Sequence, residues 1–156
     1  MTRITKSIEV GVPISVAYGQ WTQFEEFPAF MEGIDSVVQR DDQFLDWTAT
    51  VGGQTRSWGA KIVDQTPNVR IAWKAVGGTE NAGAVLFTEV GPDRTRVDLT
   101  VEAEPQGAIE TAGTALGFLD RRIAGDLDRF KAFIEDRGQS TGVWKGRIHG
   151  SRVTPS

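Results

Sequence analysis

The clearest pattern in the sequence is an apolar stripe of helical period near the C-terminus. Between Ala108 and Arg137 the apolar residues recur at steps of three or four, which places them on one face of an α-helix. They are Ile109, Ala112, Leu116, Leu119, Ile123, Leu127, Phe130 and Ile134. Such a helix would be about 45 Å long, and Gly138 is a favourable C-terminal stop. A one-sided helix of this length needs a large apolar surface to cover it.

Most of the upstream chain alternates between apolar and polar residues, which is typical of half-buried β-strands. Residues 2–12 form one such segment, and six more follow between Ile34 and Ala103, separated by turn signals such as Gly52-Gly53. The six predicted strands are 34–40, 44–51, 54–66, 69–76, 82–90 and 94–103. Because the connections between them are short, we expect an antiparallel meander.

The alternation also predicts which side chains face the interior. The predicted inner positions are Leu45, Trp47, Ala49, Val51, Trp58, Ala60, Ile62, Ile71, Trp73, Ala75, Val97, Leu99, Val101 and Ala103. Strand 82–90 leaves the choice open, because Val85 and Phe87 oppose Leu86 and Val90. Asn81 and Gly83, at the start of that strand, suggest a turn or a bulge.

Two short elements lie between the first strand and the meander. Ile14–Trp21 is predicted to be a short helix that follows Pro13. Residues 24–31 are rich in aromatic side chains and contain Pro28, so we expect a second short helix or a turn-like piece.

Composition narrows the function further. The 156 residues carry a formal charge of −4, which argues against nucleic-acid binding. Without cysteine the chain has no disulfide, thiol nucleophile or zinc–thiolate site. The sequence lacks a long apolar run and a signal-peptide pattern, so we expect a cytoplasmic protein with no transmembrane segment. We expect neither a metal nor another cofactor.

The end of the chain has little periodicity. We predict one domain over residues 1–138 and a tail over residues 139–156 that is flexible unless Trp144 docks on the domain.

The element order and several local sequences resemble the START-like (SRPBCC) superfamily, in particular its bacterial polyketide cyclase/dehydrase-like branch. The matching pieces are VPISVAYGQWTQFEEFPAFM at 12–31, IAWK at 71–74, NAG at 81–83 and RTRVDLTVEAEPQG at 94–107. Coenzyme Q-binding proteins are placed near that branch. The resemblance implies an α+β helix-grip (START/Bet v 1-like) fold of order β-α-α-β6-α, in which a curved antiparallel sheet wraps a long C-terminal helix. It also implies a cavity for an apolar ligand between sheet and helix.

Candidate ligand-binding residues follow from the aromatic content of the predicted inner surface. They are Trp21, Phe27, Phe30, Trp47, Trp58, Trp73, Phe87, Gly113, Leu116 and Gly117. The alternative is that the aromatic residues are ordinary core. Each helical glycine costs about 1 kcal/mol relative to alanine, so Gly113 and Gly117 suggest a helix thinned beside a cavity. A bent or frayed first half of the helix explains them equally well.

Catalytic candidates are few. The single histidine, His149, lies in the tail, so a histidine-based triad or metal site is not expected. The resemblance implies that cyclases and dehydratases of the superfamily work with arginine, aspartate, tyrosine or bound water inside the cavity. Arg56 and Tyr18 are the candidates here, against the alternatives of a solvent-reaching arginine and a packed tyrosine.

Three functions stay open at this point. The first is a non-catalytic carrier, chaperone or sensor for a small hydrophobic molecule that is polyketide-, quinone- or lipid-like. The second is a polyketide aromatase/cyclase or dehydratase. The third is an interaction module, for which an exposed patch of Phe27, Phe30 and Met31 would be the sign. In all three cases we expect a monomer or a weak homodimer.

Overall fold

A computed structural model describes residues 2–51, 53–76, 81–103, 112–150 and 152–154, with the side chains of Thr2, Val51, Gln54, Ala103 and 112–120 outside the description. The elements, in chain order, are β1 Thr2–Val10, α1 Ile14–Trp21, a 3-10 helix Phe24–Ala29, β2 Ile34–Gln39, β3 Phe44–Val51, β4 Gln54–Thr66, β5 Arg70–Val76, β6 Asn81–Gly91, β7 Arg94–Ala103, α2 Ala112–Arg137, β8 Arg147–His149 and β9 Arg152–Thr154.

The strands form one antiparallel sheet of order β1-β7-β6-β5-β4-β3-β2, with β8 added beside β4 and β9 beside β8. The predicted meander of six strands is therefore confirmed. The first strand of the chain pairs with β7, the last strand of the meander, from Thr2↔Ala103 to Val10↔Thr95. Helix α2 packs along β1, so a curved sheet grips the C-terminal helix as the sequence predicted.

The inner face of the sheet agrees with the alternation read from the sequence. In β3, β4, β5 and β7 the predicted apolar positions are mostly buried; those at most 8% exposed are Leu45, Trp47, Ala49, Ala60, Ile62, Ile71, Trp73, Val97 and Leu99. Strand β6 also has one clearly buried face. Val85 and Phe87 are 0% and 5% exposed, whereas Leu86 and Val90 are 43% and 47% exposed.

A bulge in β4 places a polar side chain in the interior. The pairing of β4 with β5 shifts between Ile62 and Asp64. Because one extra residue reverses the inside–outside alternation, Gln65 lies opposite Ile71 and is 1% exposed. A strict alternation from Ile62 would have placed Asp64, and not Gln65, on the inner face.

Helix α2 supplies the apolar stripe that covers the sheet. Among its described side chains, the buried apolar ones are Ile123, Leu127, Phe130 and Ile134, each at most 3% exposed, as the periodicity predicted. The helix ends at Arg137, and Gly138 has φ +70° and donates its backbone N–H to the carbonyl of Ile134 over 2.8 Å. The expected start at Ala108 lies outside the described residues.

Polar side chains on α2 hold the turn that enters β2. The backbone N–H of Glu32 donates to Oδ1 of Asp126 over 3.0 Å, and Nε of Arg129 donates to the carbonyl of Phe30 over 3.1 Å. Gly33 has φ +87°, and a Cβ there would lie 2.4 Å from a guanidinium nitrogen of Arg122. These contacts fix α2 against the start of the meander.

Residues 139–150 and 152–154, part of the segment predicted as a tail, fold back along α1 and onto β4; we call them the C-terminal strap. The Gln20 carboxamide accepts from the Thr141 backbone N–H over 2.9 Å and donates to the Thr141 hydroxyl over 3.1 Å. The backbone N–H of Trp144 donates to Oγ1 of Thr22 over 3.0 Å, and Trp144 packs against the core. The sequence predicted a flexible tail unless Trp144 docks on the domain, and in the structure Trp144 does dock there.

The end of the C-terminal strap extends the sheet. Ile148 pairs with Gln65 and is fully buried, and His149 pairs with Asp64. Gln43, itself 8% exposed, donates its amide to the carbonyl of Gly150 over 2.6 Å. Periodicity misses this strand because only three residues pair, and their partners are distant in sequence.

Candidate functional site

Three tryptophans form a row on the inner face of the sheet. Trp47 and Trp58 are stacked, with ring centroids 6.2 Å apart and planes inclined by 5°; Trp47 and Trp73 are 6.1 Å apart and inclined by 24°. Trp47 and Trp73 are 4% and 8% exposed, whereas Trp58 is half-buried. We call Trp58, Trp47 and Trp73 the tryptophan row. It runs from the core to a partly open end.

The register of the strands explains this row. Trp47 and Trp58 lie directly opposite one another on β3 and β4. Trp73 lies on β5, one strand further, opposite Ile62. Ala60, on the strand between Trp47 and Trp73, is too small to separate the two rings, so all three indoles meet on one face.

Gly83 provides the space in which Trp73 lies. The two residues are directly opposite on β6 and β5, and a Cβ on Gly83 would lie 2.5 Å from Cζ2 of Trp73. The role expected from the sequence, a turn or a bulge, is therefore wrong for Gly83. The glycine sits within a regular strand and admits an indole ring.

A second aromatic cluster packs against Trp47 and Trp73 of the tryptophan row. Phe24 and Phe27, from the 3-10 helix, contact the ring of Trp73 at centroid distances of 6.4 and 6.5 Å. Phe27 also contacts Trp47 at 5.7 Å. Behind them, Trp21 and Phe30 pack on each other and on Phe130 of α2 at 5.1 to 5.7 Å.

The burial of this cluster bears on the interaction-module hypothesis. Phe27, Phe30 and Met31 are 0%, 1% and 8% exposed, so the exposed patch expected for that hypothesis does not form. The cause is the 3-10 helix itself, which turns these side chains toward α2 and the sheet.

Three buried donors in the described part of the chain have no hydrogen-bond partner: Oη of Tyr18, Nε1 of Trp21 and Nε1 of Trp47. An unsatisfied buried donor costs about 1–3 kcal/mol. The indole N–H groups can only donate, and the tyrosine hydroxyl can donate or accept. Unpartnered hydrogen-bond donors therefore lie beside aromatic side chains in the described interior.

Tyr18 lies in the interior, on the face of α1 that meets the sheet. It is 1% exposed and makes an edge contact with Phe87, the centroids being 5.4 Å apart. Burial raises the pKa of Tyr18 to about 12, and the nearby Gln65 side chain only partly offsets that rise. Gln65 thus lies beside the hydroxyl without forming a complete hydrogen bond. At neutral pH the phenol keeps its proton and can act as a donor.

The other catalytic candidate is placed differently. Arg56 lies in β4 opposite Ala49, and its side chain is exposed, as the solvent-reaching alternative predicted. Arg56 and Tyr18 are therefore not brought together. Within the described residues, no group of three histidine, aspartate or glutamate side chains is arranged to hold a metal ion.

The remaining predicted ligand-binding residues, Gly113, Leu116 and Gly117, belong to the first turns of α2, whose side chains lie outside the described part. The grooves found among the described residues do not lie beside these three residues. Two shallow grooves, of about 390 and 190 Å³, share Arg70, Ala84, Thr100 and Glu102 among their lining residues, on the outer side of β5, β6 and β7.

The comparisons with known proteins identify the family. Residues 10–132 match the model of the family described as "Polyketide cyclase / dehydrase and lipid transport". The chain belongs to this family. The resemblance to the polyketide cyclase/dehydrase-like branch inferred from the sequence is confirmed.

A relative and two solved structures are similar to this chain. An uncharacterized 17.2 kDa protein in the melC2-rnhH intergenic region of Streptomyces lincolnensis is 46% identical over 149 residues, which are 95% of this chain and 99% of that protein. A START superfamily protein from Mycobacterium smegmatis has a TM-score of 0.67 at 16% identity, covering 86% of this chain and 95% of its own. The Zhui aromatase/cyclase from Streptomyces sp. R1128 has a TM-score of 0.71 at 16% identity, covering 91% and 99%. The two structures show the fold.

Within the described residues, no helix is both long and apolar enough to cross a bilayer.

The sequence predicted that Trp47, Trp58 and Trp73 share the inner face of the sheet, but not the relations that organise them. Gly83 and Gln65 were missed in their present roles because a glycine within a strand and a bulge have no periodic signature. The NAG tripeptide at 81–83 was the available signal for Gly83.

Proposed function

We propose that this protein binds a small hydrophobic or aromatic molecule between the sheet and α2, as a carrier, chaperone or sensor. The observation that carries the proposal is the tryptophan row, whose three nearly parallel rings run from the core to half-buried Trp58. A polyketide-, quinone- or lipid-like molecule has the apolar body that such a surface binds.

The row offers a specific binding mode. Offset stacking of aromatic rings adds about 0.5–1.5 kcal/mol beyond the burial of area. A flat ring placed against the half-buried face of Trp58 continues the stack that Trp58 forms with Trp47. Apolar burial then contributes about 25 cal/mol per Å², so a molecule of two or three fused rings would bind without any charged anchor.

The proposal assigns different parts to the predicted residues. Trp58 makes the direct contact, and Trp47 and Trp73 set its orientation. Phe27 holds the row in place by contacting Trp47 and Trp73, and Trp21 and Phe30 pack behind Phe27. Phe87 packs on Tyr18 beside them. Gly113, Leu116 and Gly117 remain the proposed opposite wall, on α2.

The family supports the chemical class of the ligand. Its description names polyketide cyclases and dehydrases together with lipid transport, and a structural neighbour is an aromatase/cyclase. Such proteins handle apolar or ring-forming molecules, which fits an aromatic interior.

Catalysis is the second candidate, and buried Tyr18 is the observation that favours it. Its hydroxyl is protonated and unpartnered, so it could polarise a carbonyl of a polyketide-like substrate. A polyketide aromatase/cyclase or dehydratase using Tyr18 would lose turnover about 100-fold or more in Tyr18→Phe. Binding of an unreactive aromatic ligand would stay unchanged in that variant.

Native mass spectrometry of the freshly purified protein, followed by titration with anthraquinone monosulfonate, tests the leading proposal. We expect a co-purifying small molecule or saturable binding, and we expect Trp58→Ala to weaken binding at least about tenfold. Trp144→Ala, which removes an indole from the C-terminal strap instead, is the matched control. No binding to the wild-type protein, or equal loss in both variants, would overturn the proposal.

A further inference from the structure

The end of the chain, which includes the C-terminal strap, differs in charge from the rest. Three of the 17 lysine and arginine residues lie in residues 138–156, and none of the 21 aspartate and glutamate residues does. Because the whole chain carries −4, this segment has a formal charge of +3 and residues 1–137 have −7. The family match ends at residue 132. A basic segment beyond it, on an acidic domain, points to a local interaction with an anionic partner.

The fold places the cations of the strap on one exposed face. From residue 143 to residue 149 burial alternates: the odd-numbered residues are exposed, and the even-numbered ones are half-buried or buried. On β8, Arg147 and His149 are therefore neighbours on the outer face, about 7 Å apart along the strand. His149 is paired with Arg152 of β9, which is also exposed. We call these exposed basic side chains the basic ridge: Lys145, Arg147, His149 and Arg152.

Contacts within the chain do not neutralise the basic ridge. Among the described residues, no carboxylate lies within ion-pair distance of Lys145, Arg147 or Arg152. The Nδ1 atom of His149 lies 3.7 Å from Oδ1 of Asp64, but Arg70 already binds that carboxylate over 2.7 Å. The charge of the ridge is thus available to an anion outside the chain.

An anionic lipid surface fits the basic ridge better than an acidic protein does. Protein interfaces depend on a few aromatic or large apolar anchors, and Val143 is the only exposed large apolar side chain in the described strap. Attraction to anionic lipids needs no such anchor and amounts to about fivefold in partitioning per lysine or arginine close to the surface. Repulsion of the acidic domain is screened beyond about 10 Å, so the side chains nearest to the lipid decide the sign.

We propose that the basic ridge docks this protein reversibly on membranes that contain anionic lipids. Lys145, Arg147 and Arg152 together correspond to about 100-fold in partitioning relative to a neutral membrane. That is enough for a peripheral association and too little for a permanent anchor. The inference goes beyond the proposed function, because it concerns the outer face of the C-terminal strap and requires no bound ligand.

Co-sedimentation with vesicles tests the proposal on the full-length protein. At low salt, the wild type should bind vesicles of phosphatidylcholine mixed with phosphatidylglycerol and not vesicles of phosphatidylcholine alone, and binding should weaken as salt is added. This comparison needs no variant and so does not depend on how well a variant folds.

Two triple variants locate the contact. Replacing the three cations of the ridge, as Lys145→Gln, Arg147→Gln and Arg152→Gln, should lower partitioning at least about 20-fold. The matched control makes the same change in net charge at three exposed cations that have no ion pair among the described residues: Arg56→Gln, Lys74→Gln and Arg121→Gln. Its partitioning should stay within about threefold of the wild type.

The possible outcomes separate the partner classes. No binding of the wild type to the anionic vesicles, or an equal loss in both triple variants, would overturn the proposal. Binding of soluble polyglutamate through the ridge, without binding of the vesicles, would overturn it in favour of an acidic protein partner. The proposed function has its own test, because anthraquinone monosulfonate is titrated without vesicles.

Discussion

The indole of Trp73 lies directly on the backbone of Gly83, its partner across β5 and β6. An added Cβ would come within 2.5 Å of Cζ2 and 2.7 Å of Cε2, and both are atoms of a rigid ring. Trp73 is also held by Trp47 and Phe24, so it cannot move without disturbing the tryptophan row.

Gly83→Ala should therefore destabilise the protein by about 1–3 kcal/mol, the usual cost of overpacking a core. Gly91→Ala, at the end of the same strand, is the matched control, because its nearest neighbour would be Cβ of Arg94 at 3.7 Å. Urea unfolding measures both. A loss in Gly83→Ala no greater than that in Gly91→Ala would show that the ring yields freely.

Tyr18 gives a direct optical test of burial, since it is the single tyrosine of the chain. Burial raises the pKa of Tyr18 from 10.0 to about 12. Ionisation of this phenol is thus disfavoured in the folded state, so its contribution to stability is complete below pH 10 and is lost as the pH rises toward 12. Tyrosinate absorbance should appear near pH 12 in native protein and near 10 in denatured protein, and not in Tyr18→Phe. Native titration near pH 10 would contradict the buried position.

Two carboxylates on α2 should affect acid stability with opposite sign. Burial raises the pKa of Asp126, and its bonds from Arg129 and the Glu32 N–H only partly offset the rise. A raised folded pKa means that stability falls as the pH rises through that pKa. The bond from Lys131, followed by that from the Gly11 N–H, lowers the pKa of Glu135, so its contribution is lost as the pH falls.

The measurement is unfolding free energy between about pH 3 and 6 for the wild type, Asp126→Asn and Glu135→Gln. Relative to wild type, Asp126→Asn should gain stability as the pH rises, and Glu135→Gln should gain it as the pH falls. The same slope in both variants would refute the assigned causes.

One buried carboxamide fixes the first part of the C-terminal strap. Gln20 is 0% exposed and forms two hydrogen bonds with Thr141. Gln20→Ala should leave those groups unpaired and lower the free energy of strap opening by about 1–3 kcal/mol. Hydrogen exchange at Ile148 should then speed up while exchange at Val85 stays slow. Gln39→Ala, on β2, serves as the control. A similar acceleration of exchange at Ile148 in that variant would argue against this role for Gln20.

The sequence was sufficient to predict the helices and strands with strong periodicity. The stripe Ile123, Leu127, Phe130 and Ile134 repeats over several turns, and each strand of the meander has turn residues at its ends. The sequence also predicted an aromatic inner face, because Trp47, Trp58 and Trp73 share one phase of their strands.

Other features depend on contacts that no local pattern encodes. The bulge after Ile62 reverses the alternation, and the pairing of Ile148 with Gln65 joins residues far apart in sequence. The face of β6 became clear only from its neighbours, since both phases of residues 82–90 contain apolar side chains.

The central claim is that the tryptophan row binds an aromatic ligand, and the five indole N–H resonances of the protein test this most directly. Each can be assigned by a single Trp→Phe variant and followed during titration of the isotope-labelled protein with anthraquinone monosulfonate. We predict saturable shifts of Trp58 and Trp47 with one common dissociation constant, while Trp144 in the C-terminal strap stays in place. Shifts confined to Trp144, or unchanged indole resonances up to the solubility limit of the probe, would contradict the account.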